Sequence, residues 1–234
     1  FGRCHINILM LGVIHEKVCI PLFWVLLDKA GNSNARERTN LMGRLHEAFP
    51  DQPIASLSGD REFIGERWIS WLESQGIPFV LRLKENMHVW NENHVPVKLS
   101  VHAARLRKRN SRILKGTWYL GRDPLKATTP IKIAMMRLKT GEMLIVAASR
   151  IRIKTALSTY RNRWGIETLF SALKTRGLGL EDTHMTSPHK LTTLMAVLAI
   201  AFCLAYKSGL WVARIKPPRH KSHGRLQRSL FALG

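Results

Sequence analysis

The chain has 234 residues, of which 45% are hydrophobic, enough to bury a core and too apolar for a disordered segment. Its 37 Lys and Arg against 16 Asp and Glu leave a formal charge of +21, far beyond what solubility requires, which points to a polyanionic partner, nucleic acid first. An anionic membrane surface would call for a basic amphipathic helix or a lipidation signal, and the longest apolar run, Leu191 to Tyr206, has only 16 residues. No membrane partner is therefore expected, and that run reads as a buried core helix.

Cys4, Cys19 and Cys203 are odd in number, scattered and set among apolar residues, which implies reduced buried thiols and a cytoplasmic setting. The pairs His184 with His189 and His220 with His223 lack the spacing of a zinc site. The chain starts at Phe1, runs at once into strand-like sequence without a leader, and reads as a fragment.

In chain order, Ile6 to Ile14 and Val18 to Leu27 are apolar and β-rich around a short polar break, His15 to Lys17, which predicts a hairpin. After the turn-prone stretch Gly31 to Asn34, Leu41, Leu45 and Phe49 recur at helical spacing until Pro50 ends the helix. Pro53 to Ser58 predicts a strand, and Gly59 then Asp60 places a carboxylate at its carboxyl end, where α/β folds put their reacting groups. Ile64, Trp68, Trp71 and Leu72 mark one face of the next helix, which Gly76 stops; the two tryptophans read as packing residues. Ile77 to Leu83 reads as a strand.

From Asn86 to Ser149 the pattern turns β-rich, with strands around Trp118 to Leu120, Ile131 to Leu138 and Met143 to Ala147. Within it Arg105, Arg107, Lys108, Arg109, Arg112 and Lys115 form a charge cluster suited to a phosphate backbone, although such runs also occur as plain solvated surface. Ser187 and Pro188 cap the apolar helix that follows, and the stretch from Arg214 to Arg228 is a basic tail.

Between these lies a segment, about Thr159 to Lys174, expected to form one amphipathic helix. At about 100° per residue Tyr160, Arg163, Glu167 and Lys174 fall within roughly 60° of one another, with Ile166, Leu169, Phe170 and Leu173 beside and behind them. A carboxylate between two cations and a phenol suits metal-assisted chemistry on nucleic acid; the plainer alternative is an exposed Arg163–Glu167 ion pair worth about 0.3–0.5 kcal/mol.

Tyr160, Arg163, Glu167 and Lys174, at these spacings, match the YREK signature of the DDE transposases of the insertion sequence four family. Asp60-Arg61-Glu62-Phe63-Ile64-Gly65, with Trp68 and Trp71 behind it, the strand Leu81-Arg82-Leu83-Lys84-Glu85-Asn86 and the opening Phe1-Gly2-Arg3 with Ile6 to Met10 also resemble that family. The resemblance implies an α/β, ribonuclease-H-like mixed sheet flanked by helices, with a β-rich insertion before the Glu-bearing helix. On that plan the segments are 1–85 and 151–210 for the core, 86–150 for the insertion and 211–234 for the tail.

It further implies that Asp60 and Glu167 are the second and third of three carboxylates holding Mg²⁺, with Mn²⁺ as a substitute, the first lying upstream of Phe1. Asp28 and Asp51 are poor replacements, being on the wrong strand and in a Pro-flanked loop. Tyr160, Arg163 and Lys174 would grip transposon-end DNA. Arg61 would hold a phosphate or orient Asp60, or else stand exposed in a first turn, and Trp118 would stack on a flipped base unless it is a core residue. The implied activity is cut-and-paste cleavage and joining of transposon ends to target DNA by a homodimer, with this fragment inactive alone. The alternatives are a non-catalytic DNA-binding remnant, or a nuclease or recombinase on the same core.

Overall fold

The opening hairpin forms as its apolar runs require. Strand β1 (Asn7–His15) pairs antiparallel with β2 (Val18–Leu27). Glu16 and Lys17 connect them at φ of 47° and 69°, the two left-handed residues that let a two-residue loop follow the strand twist. The computed structural model describes residues 7–27, 29–121, 129–174, 177–219 and 229–234, and the chain divides into two compact units, Phe1–Gly31 with Trp164–Gly234, and Asn32–Arg163. Cys4, Asp28, His220 and His223 lie outside the described residues.

In the first unit the hairpin packs against α5 (Trp164–Lys174) and α6 (Pro188–Ile215). Met10 and Cys19 meet Leu169, Leu173, Leu191, Met195, Leu198 and Phe202 in one core. Gly165 lets α5 approach the hairpin backbone, since a methyl there would lie 2.9 Å from the Lys17 carbonyl oxygen. Phe231 stacks on Phe202 at 5.3 Å between centroids, so the last residues of the basic tail are anchored to α6.

Helix α6 runs nine residues past the Tyr206 end expected from its apolar run, because no proline intervenes before Pro217 and Gly209 alone does not end it. At 28 residues, with an 18-residue stretch of mean hydropathy 1.7, it is long and apolar enough to cross a membrane by length and composition. Leu191, Met195, Leu198, Phe202 and Tyr206 are nevertheless buried, while Val197, Ile200, Leu204, Trp211 and Ile215 are exposed.

The second unit begins with α1 (Ala35–Ala48), started by a capping box in which Asn34 Oδ1 accepts from the Glu37 amide and Glu37 accepts from the Asn34 amide. Strand β3 (Leu57–Gly59) is shorter than the Pro53 to Ser58 run suggests and pairs parallel with β4 (Phe79–Leu83); α2 (Glu66–Ser74) connects them. Trp68 stacks on Trp71 at 5.4 Å, a packing contact as expected.

The segment after Asn86 contributes β5 (His88–Trp90), β6 (Pro96–Lys98), α3 (Leu99–Ala103), β7 (Ser111–Ile113), β8 (Trp118–Leu120), β9 (Thr129–Arg137) and β10 (Met143–Ser149). The strand order is β3-β4-β10-β9-β8-β5-β6, with β7 also on β9, so β10 lies directly beside β4 rather than in a separate layer. Among the described residues only the β3–β4 pair is parallel, which makes this a mixed sheet, and α4 (Ile153–Arg161) covers Val80, Ala134, Val146 and Ala148 through Ala156 and Tyr160.

One expectation fails here. The segment from Thr159 to Lys174 is two helices, α4 ending at Arg161 and α5 starting at Trp164, with Asn162 as the C-cap of α4. Asn is a poor helix-interior residue that favours caps, and here it closes α4. The 100° rule therefore does not carry across the break, and the single stripe through Tyr160, Arg163, Glu167 and Lys174 is not a helix face.

Candidate active site

Asp60 stands immediately after β3, at the carboxyl end of a strand as its sequence position indicates. Its side chain caps the short 3-10 turn Arg61–Phe63, Oδ1 accepting from the Arg61 amide at 2.8 Å, and its carbonyl accepts from the Phe63 amide at 2.9 Å. The turn folds tightly over Gly59, where a methyl would lie 3.0 Å from Phe63 Cβ and 2.9 Å from Leu81 Cδ2.

Three side chains from two other elements of this unit face the Asp60 carboxylate. The Tyr160 hydroxyl, on α4, donates to Oδ1 at 3.3 Å. Arg82, on β4, reaches Oδ1 at 3.8 Å, and Arg163, just past α4, reaches Oδ2 at 3.8 Å. Both distances are those of ion pairs rather than direct hydrogen bonds. The Arg163 guanidinium also lies 5.3 Å from the Tyr160 ring centroid, a cation–π contact.

The Asp60 side chain is 32% exposed, whereas the side chains of Arg82 and Arg163 are 13% exposed, so solvent reaches the carboxylate and the cations form its walls. Tyr160 is buried at 2% exposure, and burial, ahead of Asp60, pushes its hydroxyl above the ordinary tyrosine range against the opposing pull of Arg163 and Arg82. At neutral pH it is a proton donor to Asp60.

Of the other residues singled out in the sequence, Glu167 and Lys174 both lie on the exposed side of α5, seven residues apart, in the other compact unit. Arg61 is exposed and engages Asp60 through its amide, the first-turn role. Trp118 is 8% exposed, its Nε1 donates to the Lys115 carbonyl at 3.1 Å and its ring meets His102 edge-on, so it is a packed core residue and offers no open face to a base. Asp51 is exposed in a turn before β3.

Arg82 was not singled out, and neither was its second partner, Glu142, at the end of the β9–β10 turn. A signal was present: Arg82 interrupts the strand Phe79-Val80-Leu81-Arg82-Leu83, whose other four side chains are buried. A cation in such a strand needs a carboxylate partner, and this one has two.

The basic cluster is exposed at all six positions, around β7, while Leu106 and Leu114 are buried. Arg137 fixes its backbone by donating to the carbonyls of Leu106 at 2.6 Å, Ala103 at 3.0 Å and Gly141 at 3.0 Å. The cluster is a preformed cationic ridge.

As a metal ligand Asp60 supplies suitable carboxylate oxygens, but a divalent cation with oxygen preference needs about six donors. No group of three or more His, Cys, Asp or Glu able to hold an ion occurs among the described residues. Asp60 is thus the one carboxylate in a cluster with two guanidiniums and a phenol, and any ion there requires carboxylates from beyond this cluster.

A family model for the transposase DDE domain matches residues 13–204. Among solved structures, the piggyBac transposase in a synaptic complex with hairpin DNA is similar to this chain at a TM-score of 0.43 and 14% identity, over 72% of this chain and 34% of that one. The chain thus spans about a third of that transposase's length. No curated protein sequence matches it.

Proposed function

The chain belongs to the transposase DDE domain family, and we propose that it is part of the catalytic core of a cut-and-paste transposase of the insertion sequence four type, acting on transposon ends and target DNA. The observation that carries this reading is the Asp60 cluster: a solvent-reached carboxylate following a strand, walled by Arg82 and Arg163 and contacted by Tyr160. Guanidiniums match the non-bridging oxygens of a phosphodiester, and the carboxylate between them suits a divalent cation that would bind the same phosphate.

In this reading Asp60 and Glu167 are two of the carboxylates that hold Mg²⁺ or Mn²⁺, which when bound activates the attacking oxygen and stabilises the leaving one. Arg163 and Arg82 orient the phosphate, Tyr160 fixes Asp60 by its hydroxyl, and Lys174 takes a neighbouring phosphate as a point charge. A further carboxylate must join them, so the chain alone is expected to turn over little DNA. Pairing of two DNA ends by a homodimer is part of the proposal, as is action at the nucleoid.

A transposase that contains this chain together with that carboxylate is expected to nick transposon-end duplex in Mg²⁺, with loss of nicking in Asp60→Asn and Glu167→Gln. Nicking that survives Glu167→Gln removes Glu167 from the site. A second reading, DNA binding without cleavage, is favoured by the exposed ridge from Arg105 to Lys115 and the charge of +21; a metal-independent complex that never nicks, even with that carboxylate supplied, supports it instead.

A further inference from the structure

Arg38 is a charged side chain on the buried face of α1, 6% exposed beside Leu41 and Met42. A guanidinium so placed is costly unless its donors are engaged. Nε donates to Ser33 Oγ at 2.9 Å, and Nη2 donates to the Ser33 carbonyl at 2.5 Å and to the Glu62 carbonyl at 3.0 Å. Its plane lies 4.8 Å from the Phe63 ring centroid.

Glu62 and Phe63 belong to the turn that Asp60 caps, and Phe63 is the residue packed on Gly59. A continuous path therefore runs from the guanidinium, through the Glu62 carbonyl and the Phe63 ring, to the backbone on both sides of Asp60. Ser33, also held by Arg38, lies just before the α1 cap, so the same side chain fastens the start of α1 to the turn.

We infer that Arg38 is a positioning residue for Asp60: it holds the Arg61–Phe63 turn so that the carboxylate faces Tyr160, Arg82 and Arg163. The inference rests on the reading of Asp60 as an active-site carboxylate. Lysine cannot replace arginine here, because it keeps the charge but lacks both the planar fork and the stacking face.

The test compares Arg38→Lys with Met42→Ala, a packing loss on the same helix at a residue 4% exposed. Amide hydrogen exchange is read at Arg61 and Phe63, whose N–H groups bond to Asp60 itself, at conditions of matched global stability. Arg38→Lys is expected to speed those two amides by about tenfold over Met42→Ala and to weaken Mn²⁺ uptake, followed by electron paramagnetic resonance, by about tenfold. Equal exchange in the two variants overturns the inference, as does Mn²⁺ affinity equal to wild type. A wild-type chain that takes up no Mn²⁺ lacks the further carboxylate that the site requires, and the exchange comparison alone then decides the role of Arg38.

Discussion

Arg82 stands 3.8 Å from Oδ1 of Asp60 while its other terminal nitrogen binds Glu142. One guanidinium thus joins the carboxylate after β3 to the β9–β10 turn, across the pairing of β4 with β10. The Glu142 anchor fixes the direction of the fork, and in the proposed function its face toward Asp60 is the one offered to a phosphate.

Arg82→Gln is expected to weaken binding of duplex DNA and to lower the slope of log affinity against log salt by about one, the loss of a single phosphate contact. Fluorescence anisotropy across a salt series checks this. A slope equal to that of wild type places Arg82 outside the DNA contact.

Tyr160→Phe keeps the buried ring against Val80 and Ala134 and removes only the hydroxyl bonded to Asp60. The expected loss of stability is about 1 kcal/mol. Tyr160→Ala opens a cavity and is expected to cost about 3–5 kcal/mol. Urea denaturation of the two variants separates them.

Cys19 has no exposed surface, and burial pushes its thiol up to about 12 from its ordinary 9.0. A raised folded-state value means that the unfolded chain loses its proton first. Stability from this group is complete below about pH 9 and declines by up to about 1.4 kcal/mol per pH unit from there to about pH 12. The Cys19→Ala variant, compared with wild type by thermal unfolding from pH 7 to 11, is expected to lose the part of the alkaline decline that belongs to the thiol. In the folded protein at pH 8 Cys19 is expected to resist alkylation until unfolding.

Gly165→Ala places a methyl 2.9 Å from the Lys17 carbonyl oxygen and 3.0 Å from the Cys19 amide nitrogen. Both neighbours are backbone of the hairpin and yield little, so the expected cost is about 1–3 kcal/mol in chemical denaturation.

Local pattern made much of this legible. The hairpin, the capped start of α1, the strand before Asp60 and the Trp68–Trp71 face all follow from periodicity and turn residues acting over a few positions. What failed depended on tertiary context: the break at Asn162 ends a pattern that reads as one helix, and α6 continues past its apolar run because its exposed face costs the helix nothing in backbone bonding. The partners of Arg82, Glu142 and Arg38 carry no local signature, because they lie 22, 60, 24 and 5 positions away and only folding brings such groups together. Trp118 could serve as core or as stacking surface by sequence, and its 8% exposure decides for core.

Asp60 and Glu167 are proposed to share a divalent cation, and anomalous diffraction from Mn²⁺ in crystals of the chain with duplex DNA tests this most directly. The expected result is an anomalous peak with an oxygen of each side chain at about 2.1–2.2 Å. Peaks ligated by one of the two carboxylates alone, with the other far from any ion, would contradict it.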